Sequence, residues 1–178
     1  MIETGRLILR AFREDDRAPM AAINADPRVN EWLGGPISAV QTDATIERVN
    51  AQIAQHGYGF FAAERRADGK LIGMIGLQRV RDELPPAPGV ELGWRLTPEA
   101  QGTGLATEGA AAVLAWGFAN LGLDELIAFT AHNNFRSQAV MRRIGMAHDP
   151  ARDFDHPVLA EDHPLRRHVV FVAKRPGT

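Results

Sequence analysis

Apolar and polar residues alternate along several parts of this sequence, which is the pattern of a β-strand with one buried face. The clearest case is residues 90–96, Val-Glu-Leu-Gly-Trp-Arg-Leu. Asp68 and Gly69 separate two such stretches, and an Asp-Gly pair in that position is typical of a β-hairpin. The pattern predicts six strands, at residues 6–12, 58–64, 70–78, 89–96, 125–130 and 167–173.

Other stretches place apolar residues three and four positions apart, as in an α-helix with one buried face. Ser38 and Gln41 form a capping-box pattern at the start of one of them. Residues 105–121 are apolar almost all round, so we expect that helix to be buried against a sheet. Together these patterns predict four helices, at residues 14–25, 39–56, 105–121 and 135–144.

A glycine-rich turn, residues 101–106 (Gln-Gly-Thr-Gly-Leu-Ala), joins the strand at 89–96 to the helix at 105–121. Because another predicted strand follows that helix, the unit is strand, helix, strand, and its two strands should lie parallel. Gly102 and Gly104 let a ligand approach the backbone, and the first N–H groups of a helix have no partner within it. The turn therefore predicts a phosphate or pyrophosphate site, with plain close packing as the alternative.

Composition narrows the class of protein. The chain has 178 residues, a net charge of −2 and no cysteine. A chain of this length buries a sizeable core, so we expect a single domain over residues 1–178. The charge gives no reason to expect nucleic acid as a partner, and without cysteine neither disulfides nor thiolate catalysis is available. No apolar run is nearly long enough to span a membrane, and residues 1–6 lack the basic-then-apolar order of a signal peptide. We therefore expect a cytoplasmic protein with no membrane partner.

Several segments resemble the motifs of a known family. Residues 101–106 look like the acyl-CoA motif Gln/Arg-x-x-Gly-x-Gly/Ala of the GNAT N-acetyltransferase superfamily. Residues 134–137, Asn-Phe-Arg-Ser, and the turn at 140–146 resemble the motif that follows it, Asn-x-x-Ser/Ala with a Leu-Gly-Phe-like ending. Residues 4–10 and 106–108 are similar to the RimJ/RimL-type branch of that superfamily. The resemblance covers nearly the whole chain.

This resemblance implies a fold and an activity. The fold is a mixed α/β (α+β) one, in which a central, mostly antiparallel sheet of about seven strands is flanked by about four helices. The strands ending at Leu96 and Thr130 splay apart to form a V-shaped cofactor cleft. The activity is transfer of an acetyl group from acetyl-CoA, as cosubstrate, to an amine that is either a small molecule or a protein N-terminus. Homodimers are common among similar proteins, and no metal is implied.

The resemblance also assigns cofactor-binding residues. The backbone at Leu96 would pair with the pantetheine arm, and Asn134 would hold the same side of the cofactor. The residues expected around the pyrophosphate are Gln101, Gly102, Thr103, Gly104, Leu105, Ala106 and Thr107. This assignment agrees with the unpartnered N–H groups expected at the helix start.

Acetyl transfer to an amine needs a base, because an alkylammonium has a pKa of about 8 to 10.4 and is no nucleophile while protonated. Glu91 is the candidate base, since it lies on the strand expected to flank the cofactor. The alternative is a glutamate that faces solvent or pairs with an arginine. Ser137 is the candidate acid for the leaving thiolate, because Met141 stands where many relatives carry a tyrosine. Its alternative role is a hydroxyl that caps its helix or binds the cofactor.

Three aromatic residues are candidates for lining an acceptor pocket, namely Trp32, Tyr58 and Phe61. Core packing is the alternative, and since strand neighbours alternate faces, either Phe60 or Phe61 should belong to the core. His132 precedes the second motif and is a candidate base or substrate contact, with a plain loop histidine as the alternative. The histidines and aspartates between residues 153 and 168 match no metal-binding spacing.

The sequence leaves three functions to compare. The first is an acetyl-CoA-dependent N-acetyltransferase that uses direct attack in a ternary complex. The second is an acyl-CoA-binding sensor or regulatory module with impaired catalysis, which Met141 in place of tyrosine supports. The third, a dinucleotide-binding fold, is disfavoured because the glycine turn comes late in the chain and lacks the third small residue of that motif.

Overall fold

The computed structural model describes residues 1–32 and 34–177. Within them, nine strands form one sheet and five α-helices pack on it. The strands are β1 (Ile2–Glu3), β2 (Leu7–Arg10), β3 (Phe60–Arg65), β4 (Leu71–Arg79), β5 (Val90–Leu96), β6 (Glu125–Ala131), β7 (Ala147–His148), β8 (Phe154–Asp155) and β9 (Arg167–Lys174). The helices are α1 (Arg17–Ala25), α2 (Pro27–Asn30), α3 (Ala39–His56), α4 (Leu105–Asn120) and α5 (Phe135–Arg143). Every predicted strand and helix is present.

The strands follow the order β1-β2-β3-β4-β5-β6-β9-β7, and β8 also pairs with β9. Neighbours are antiparallel except β5 and β6, which lie parallel and are connected through α4. The predicted hairpin is formed by β3 and β4, and Arg65 Nε–H donates to Asp68 Oδ1 at 2.9 Å across its turn. The mixed, mostly antiparallel fold and the parallel strand pair are therefore confirmed.

The parallel pair opens toward one end. Among the described residues, β5 and β6 are in register only at Glu91 and Ile127. Beyond that point β5 keeps its pairing with β4 as far as Leu96, and β6 keeps its pairing with β9 as far as Ala131. The facing edges of the two strands separate, so the predicted V-shaped gap is confirmed at their C-terminal ends.

One face of the sheet is covered by α4 and α5, and the main core lies between them and the strands. Ala110 and Val113 of α4 are fully buried there, which confirms the predicted burial of this helix. The helix lies close to the sheet because two of its glycines face the strands. A Cβ at Gly109 would collide with Ile75 Cδ1, and a Cβ at Gly117 would lie 2.9 Å from Leu126 Cδ1.

The other face is covered by α1, α2 and α3. The second cluster, on this side, comprises Phe12, Met20, Ile23, Val29, Ile46, Val49, Ala62 and Met74. The capping box at α3 is confirmed, since Ser38 Oγ accepts the Gln41 N–H at 3.2 Å and Gln41 Oε1 accepts the Ser38 N–H at 2.9 Å. A third, smaller cluster comprises Val80, Leu84, Ile127, Phe154 and Val170. Because Ile127 alternates with main-core neighbours on β6, this cluster lies on the same face as α1 and α3.

The structure differs locally from the predicted elements. Residues 27–30, predicted as a loop, form the short helix α2, because Pro27 fits a first-turn position and Asp26 Oδ1 accepts the Arg28 N–H at 2.8 Å. Residues 14–16 form a separate 3-10 turn before α1. The strands β1, β7 and β8 were not predicted, because two residues are too few to show an alternation. None of the described helices is both long enough and apolar enough to cross a bilayer.

Candidate active site

The gap between β5 and β6 leads into a cleft of about 2370 Å³. It reaches from the glycine turn before α4 to the loops that follow β4 and precede β9. The predicted site residues that line it are Trp32, Tyr58, Glu91, Leu96, Gln101, Gly102, Thr103, Gly104, Ala106, Thr107, Asn134 and Ser137. Most of the predicted site is therefore gathered in one place, although its members come from distant parts of the chain.

The glycine turn presents a row of free backbone donors to this cleft. From Gly102 to Thr107, none of the six N–H groups donates a hydrogen bond within the described residues. The Glu108 N–H makes the first bond of α4, to the Gly104 carbonyl at 3.0 Å. Consecutive donors at the positive end of a helix dipole form a site for an anion, so the turn fits a pyrophosphate.

Two glycines give the turn its shape. Gly102 and Gly104 have φ angles of 72° and 83°, a left-handed conformation that side chains with a Cβ rarely adopt. A Cβ at Gly102 would meet no atom within 4 Å, so the turn leaves free space on this side. Leu105 is not among the residues that line the cleft, because its side chain is buried in the main core.

Arg6 and Glu108 hold the turn from the side, although no role was predicted for either. Glu108 Oε2 accepts the Arg6 Nε–H at 2.6 Å, and Arg6 Nη1 donates to the Thr103 carbonyl at 3.0 Å. Burial raises the pKa of Glu108, but hydrogen bonds from Thr4 and Arg6 outweigh it and lower the pKa below its usual range. Both residues lie in segments that resemble the RimJ/RimL-type branch, which was the only sequence signal for them.

Gln101 connects the end of β5 to α5. Its Nε2 donates to the Leu96 carbonyl at 3.2 Å, and its Oε1 accepts a bond from Arg136 Nη1 at 3.3 Å. The resemblance assigns the backbone at Leu96, to which this carbonyl belongs, to pantetheine. The bond between this carbonyl and Gln101 therefore has to be shared or exchanged when a ligand pairs with the β5 backbone.

Asn134 and Ser137 form a small hydrogen-bonded unit at the start of α5. Asn134 Oδ1 accepts the Ser137 N–H at 3.2 Å and so caps the N-terminus of α5. Asn134 Nδ2 donates to Thr130 Oγ1 at 3.0 Å and to Ser137 Oγ at 3.3 Å. The helix is capped by Asn134, and the Ser137 hydroxyl donates no hydrogen bond within the described residues, so its proton is available to the cleft.

Glu91 lies at the apex of the V, where β5 and β6 still pair. Its carboxylate accepts a hydrogen bond from Gln78 Nε2. Burial raises the pKa of Glu91 to about 7, while the Gln78 bond and the charge of Arg81 partly oppose that shift. No arginine or lysine of the described chain lies within ion-pair distance of this carboxylate. It is thus a largely buried acid that exchanges a proton near neutral pH.

Phe61 does not line the cleft, so the prediction that it lines an acceptor pocket is wrong. Only 2% of Phe61 is exposed, and its ring packs edge-on against Trp116 of α4 with centroids 6.5 Å apart. Phe60, its strand neighbour, points to the other face, where a Cβ at Gly93 would lie 2.9 Å from Phe60 Cζ. The alternation of the strand placed Phe61 in the main core.

His132 lies in an exposed turn and is not among the residues that line the cleft, which agrees with the alternative of a plain loop histidine. Its backbone is structural: the N–H donates to the Arg167 carbonyl at 2.8 Å, and its carbonyl accepts a bond from Gln138 Nε2 at 2.7 Å. Trp32 and Tyr58, by contrast, are half-buried and face the cleft.

Two of the histidines whose spacing matches no metal-binding motif line the cleft. His156 and His168 lie with ring centroids 5.2 Å apart, and the His168 ring stacks on Phe154 at the same distance. Burial lowers the pKa of both histidines. Among the described residues, no three His, Asp or Glu side chains come together as they would around a metal ion.

Comparison with known proteins agrees with this geometry. The family model described as "Acetyltransferase (GNAT) domain" matches residues 6–147. The uncharacterized N-acetyltransferase YoaA of Bacillus subtilis is 27% identical over 147 residues, which cover 82% of this chain and 81% of that protein. The crystal structure of an acetyltransferase from Agrobacterium tumefaciens is 28% identical and has a TM-score of 0.76, covering 97% of this chain and 92% of that one.

A third protein shares the fold at lower identity. It is RimL, described as a ribosomal L7/L12 alpha-N-protein acetyltransferase in complex with coenzyme A. It is 15% identical with a TM-score of 0.74, and the match covers 96% of this chain and 95% of that one. The family match spans Glu91, the glycine turn and the Asn134 motif, which are the parts that form the cleft. The chain therefore belongs to the GNAT acetyltransferase family and is an acetyl-CoA-dependent acetyltransferase.

Proposed function

We propose that the protein is an N-acetyltransferase of RimJ/RimL type that acetylates a primary amine by direct attack in a ternary complex. The observation that carries the proposal is the pairing of two features in one cleft. Six free backbone N–H groups, from Gly102 to Thr107, lie at one end, and the half-buried Glu91 lies at the apex of the splayed strands. The first feature suits a pyrophosphate, and the second suits a base.

The glycine turn and its neighbours would hold the donor. Acetyl-CoA supplies an acetyl group activated as a thioester. The N–H groups of residues 102–107 would bind its pyrophosphate, with Arg6 and Glu108 keeping the turn in shape. The backbone at Leu96 and the side chain of Asn134, on the two arms of the V, would hold the pantetheine arm between them.

Glu91 is proposed as the base. A protonated amine must lose its proton before it can attack, and a carboxylate whose pKa is about 7 accepts that proton at neutral pH while remaining able to release it. The bond from Gln78 Nε2 keeps the carboxylate oriented. Proton transfer is direct or passes through one water molecule.

Ser137 is proposed as the acid that gives its proton to the departing sulfur and regains one from water in the open cleft. Its Oγ accepts a hydrogen bond from Asn134 Nδ2 at 3.3 Å, which leaves the hydroxyl proton free to point into the cleft. Met141 has no proton to give and is 2% exposed, within the main core. The acceptor, either a protein N-terminus or a small molecule, would enter past Trp32 and Tyr58.

A second function stays in consideration because of Met141. An acyl-CoA-binding sensor or regulatory module would keep the glycine turn but need no acid at the sulfur. Both functions require cofactor binding, but only the acetyltransferase turns over an amine.

Three further predictions are untested: a single domain over residues 1–178, a cytoplasmic location and a homodimer. Sedimentation of the purified protein would test the homodimer.

Calorimetric titration with acetyl-CoA, and separately with NAD, tests the site first. Micromolar binding of acetyl-CoA without binding of NAD is the expected result. A panel of amines assayed for release of free CoA then tests the activity. Turnover with any amine supports the acetyltransferase; micromolar binding without turnover for the whole panel supports the sensor. No binding of acetyl-CoA would mean that the turn serves packing alone.

A further inference from the structure

Arg95 is a cleft residue that the mechanism does not use. It lies on β5 with Glu91 and Gly93, all on the same face of the strand because side chains alternate. Its backbone pairs with Met74, a member of the second cluster, so the side chain points toward α1 and α3. It lines the cleft on the β5 arm of the V, whereas Glu91 lies at the apex.

A buried polar chain fixes one end of the Arg95 guanidinium. Nη1 donates to Asn24 Oδ1 at 2.6 Å. Asn24 Nδ2 in turn donates to Thr42 Oγ1 at 2.9 Å, and Thr42 Oγ1 donates to the Ser38 carbonyl at 3.0 Å. Asn24 and Thr42 are almost fully buried. The guanidinium is thus held in one place by α1 and the start of α3.

The other edge of the guanidinium has no partner. Nε is buried without a hydrogen-bonding partner, and Nη2 makes none within the described residues. No described carboxylate lies within ion-pair distance of Arg95. Burial lowers the pKa of Arg95 to about 10, which leaves it positively charged at neutral pH.

Other arginines of the cleft differ from it. Arg28 Nη2 lies 2.6 Å from Asp26 Oδ2, and Arg81 Nη1 lies 3.5 Å from Glu83 Oε1. Arg48 and Arg79 line the cleft too but are exposed, so water satisfies them. Arg95 combines a half-buried position, a guanidinium held in place by Asn24, and a buried Nε–H without a partner.

Such an arrangement is costly without an anion. The Arg95 Nε–H has lost its water and found no acceptor, and a buried donor left in this way destabilises the fold. Nε and Nη2 belong to the same edge of the guanidinium, and this edge matches the two oxygens of a carboxylate. A carboxylate ligand would supply what the protein itself does not.

We propose that Arg95 binds a carboxylate of the acceptor, so that the substrate is an amine that also carries a carboxylate, such as an amino acid or a short peptide. The inference rests on the proposed function, because it assumes that the acceptor amine is brought to Glu91. The Cα atoms of residues four apart on a strand are about 13 Å apart. Glu91 can therefore contact the amine of a small molecule while Arg95 binds its carboxylate. A polycationic acceptor would meet a fixed positive charge here.

Matched pairs of acceptors test this inference. The common L-amino acids, and linear amino acids from glycine to aminocaproate, are compared with their own carboxamides as acceptors. We expect the best acid to exceed its amide in kcat/KM by at least tenfold, or ~1.4 kcal/mol. Arg95→Gln should bring that ratio close to one through KM, and Arg95→Lys should keep part of it. Arg65→Gln is the control, because Arg65 is an ion-paired arginine of the β3–β4 hairpin outside the cleft.

The outcomes separate this inference from the proposed function. Equal use of acids and amides, or a preference unchanged in Arg95→Gln, overturns the inference while acetyl transfer stands. If no amine releases CoA, the proposed function fails, and calorimetry of the acids with the CoA-loaded protein decides. Binding of an acid that is lost in Arg95→Gln supports the anion site, and absence of such binding overturns it. Melting temperatures and acetyl-CoA affinity show that each variant is folded.

Discussion

At the residue scale, the position of Glu91 sets its proton affinity. It lies where β5 and β6 still pair, and the surrounding protein removes water from its carboxylate. Gln78 and Arg81 stabilise the charged form without cancelling the effect of burial, so the pKa of Glu91 rises from 4.5 to about 7. A group with this pKa changes its charge within the range in which enzymes are usually assayed, so its role can be read from pH profiles.

We expect Glu91→Gln to lower kcat/KM by about a hundredfold or more, because a positioned base contributes at least that much. In the wild type, kcat/KM should rise with pH up to about 7, since only the deprotonated carboxylate accepts a proton, and this rise should vanish in the variant. Steady-state rates across the pH range check both statements. A variant that keeps both the rate and the pH profile would exclude Glu91 as the base.

Glu91 should also make the stability of the protein depend on pH, which can be measured without an activity assay. A carboxyl group whose pKa is higher in the folded state stabilises it fully below pH 4.5 and loses that contribution as the pH rises through about 7. The melting temperature of Glu91→Gln minus that of the wild type should therefore be more positive at a pH of about 8 than at about 5. A difference that is constant with pH would contradict the shifted pKa.

Ser137→Ala should lower kcat more than it lowers the affinity for acetyl-CoA, if the hydroxyl gives its proton to sulfur. The helix cap survives this change, because Asn134 Oδ1 bonds to the Ser137 N–H and not to the side chain. Turnover and calorimetric affinity are compared, with Ser137→Thr as the variant that keeps a hydroxyl. Equal losses in both quantities would make Ser137 a binding residue only.

At the element scale, the turn before α4 depends on the meeting of three parts of the chain. The helix contributes N–H groups without partners, the glycines contribute a left-handed backbone, and the segment before β2 contributes Arg6. Their arrangement is the reason that the proposed anion site lies at this end of the cleft.

Gly104→Val should weaken acetyl-CoA binding at least tenfold, or ~1.4 kcal/mol, because a branched side chain would crowd the donors and strain the backbone. Gly69→Val is the matched control. Gly69 has a similar φ of 67° and no atom within 4 Å of an added Cβ, but it lies in the β3–β4 hairpin. Calorimetry on both variants separates backbone strain from loss of the site. Unchanged affinity in a folded Gly104→Val protein would remove Gly104 from the site.

Arg6→Gln and Glu108→Gln should each weaken acetyl-CoA binding by a few-fold, and the double variant should be little worse than either single one, because the two side chains act as one unit. The ion pair at 2.6 Å and the Arg6 bond to the Thr103 carbonyl are the contacts being removed. A double-variant cycle on calorimetric affinities measures this coupling. Losses that simply add would show that the two residues act separately.

At the scale of the whole molecule, the sheet brings the regions proposed to bind the donor and the acceptor into one cleft. The α4 and α5 side carries the glycine turn and the Asn134 cap, while the α1 and α3 side carries the polar chain behind Arg95. The two strand arms stay paired with their outer neighbours, so the cleft can open without breaking the sheet. The chain has no cysteine to carry an acetyl group between two separate steps.

This layout predicts sequential kinetics. Double-reciprocal plots of initial rate against one substrate, at several fixed levels of the other, should intersect, because donor and acceptor must be bound together for direct attack. Mass spectrometry of the protein after exposure to acetyl-CoA alone should show no acetylated form. Parallel lines together with a trapped acetyl-protein would contradict direct attack.

Local interactions allowed much of the fold to be predicted from the sequence. The alternation on β5, the capping box at Ser38 and the Asp-Gly turn at residues 68–69 depend on neighbours within a few positions, and each was found as predicted. The glycine turn was identifiable for the same reason, since its shape and its free N–H groups are properties of one short segment. From these the sequence determined the main strands, the helices and the place of the glycine turn with its free N–H groups.

Only the tertiary structure decided which side chains meet. Arg6 and Glu108 are 102 residues apart, and Arg95 and Asn24 are 71 apart, so no local pattern could pair them. The alternation of β3 predicted that one of two phenylalanines is buried, but the packing of α4 selected Phe61. The raised pKa of Glu91 likewise depends on how much water the assembled sheet excludes. Burial and long-range contacts are properties of the whole fold, so local sequence patterns could not predict the pKa values and side-chain pairs of the cleft.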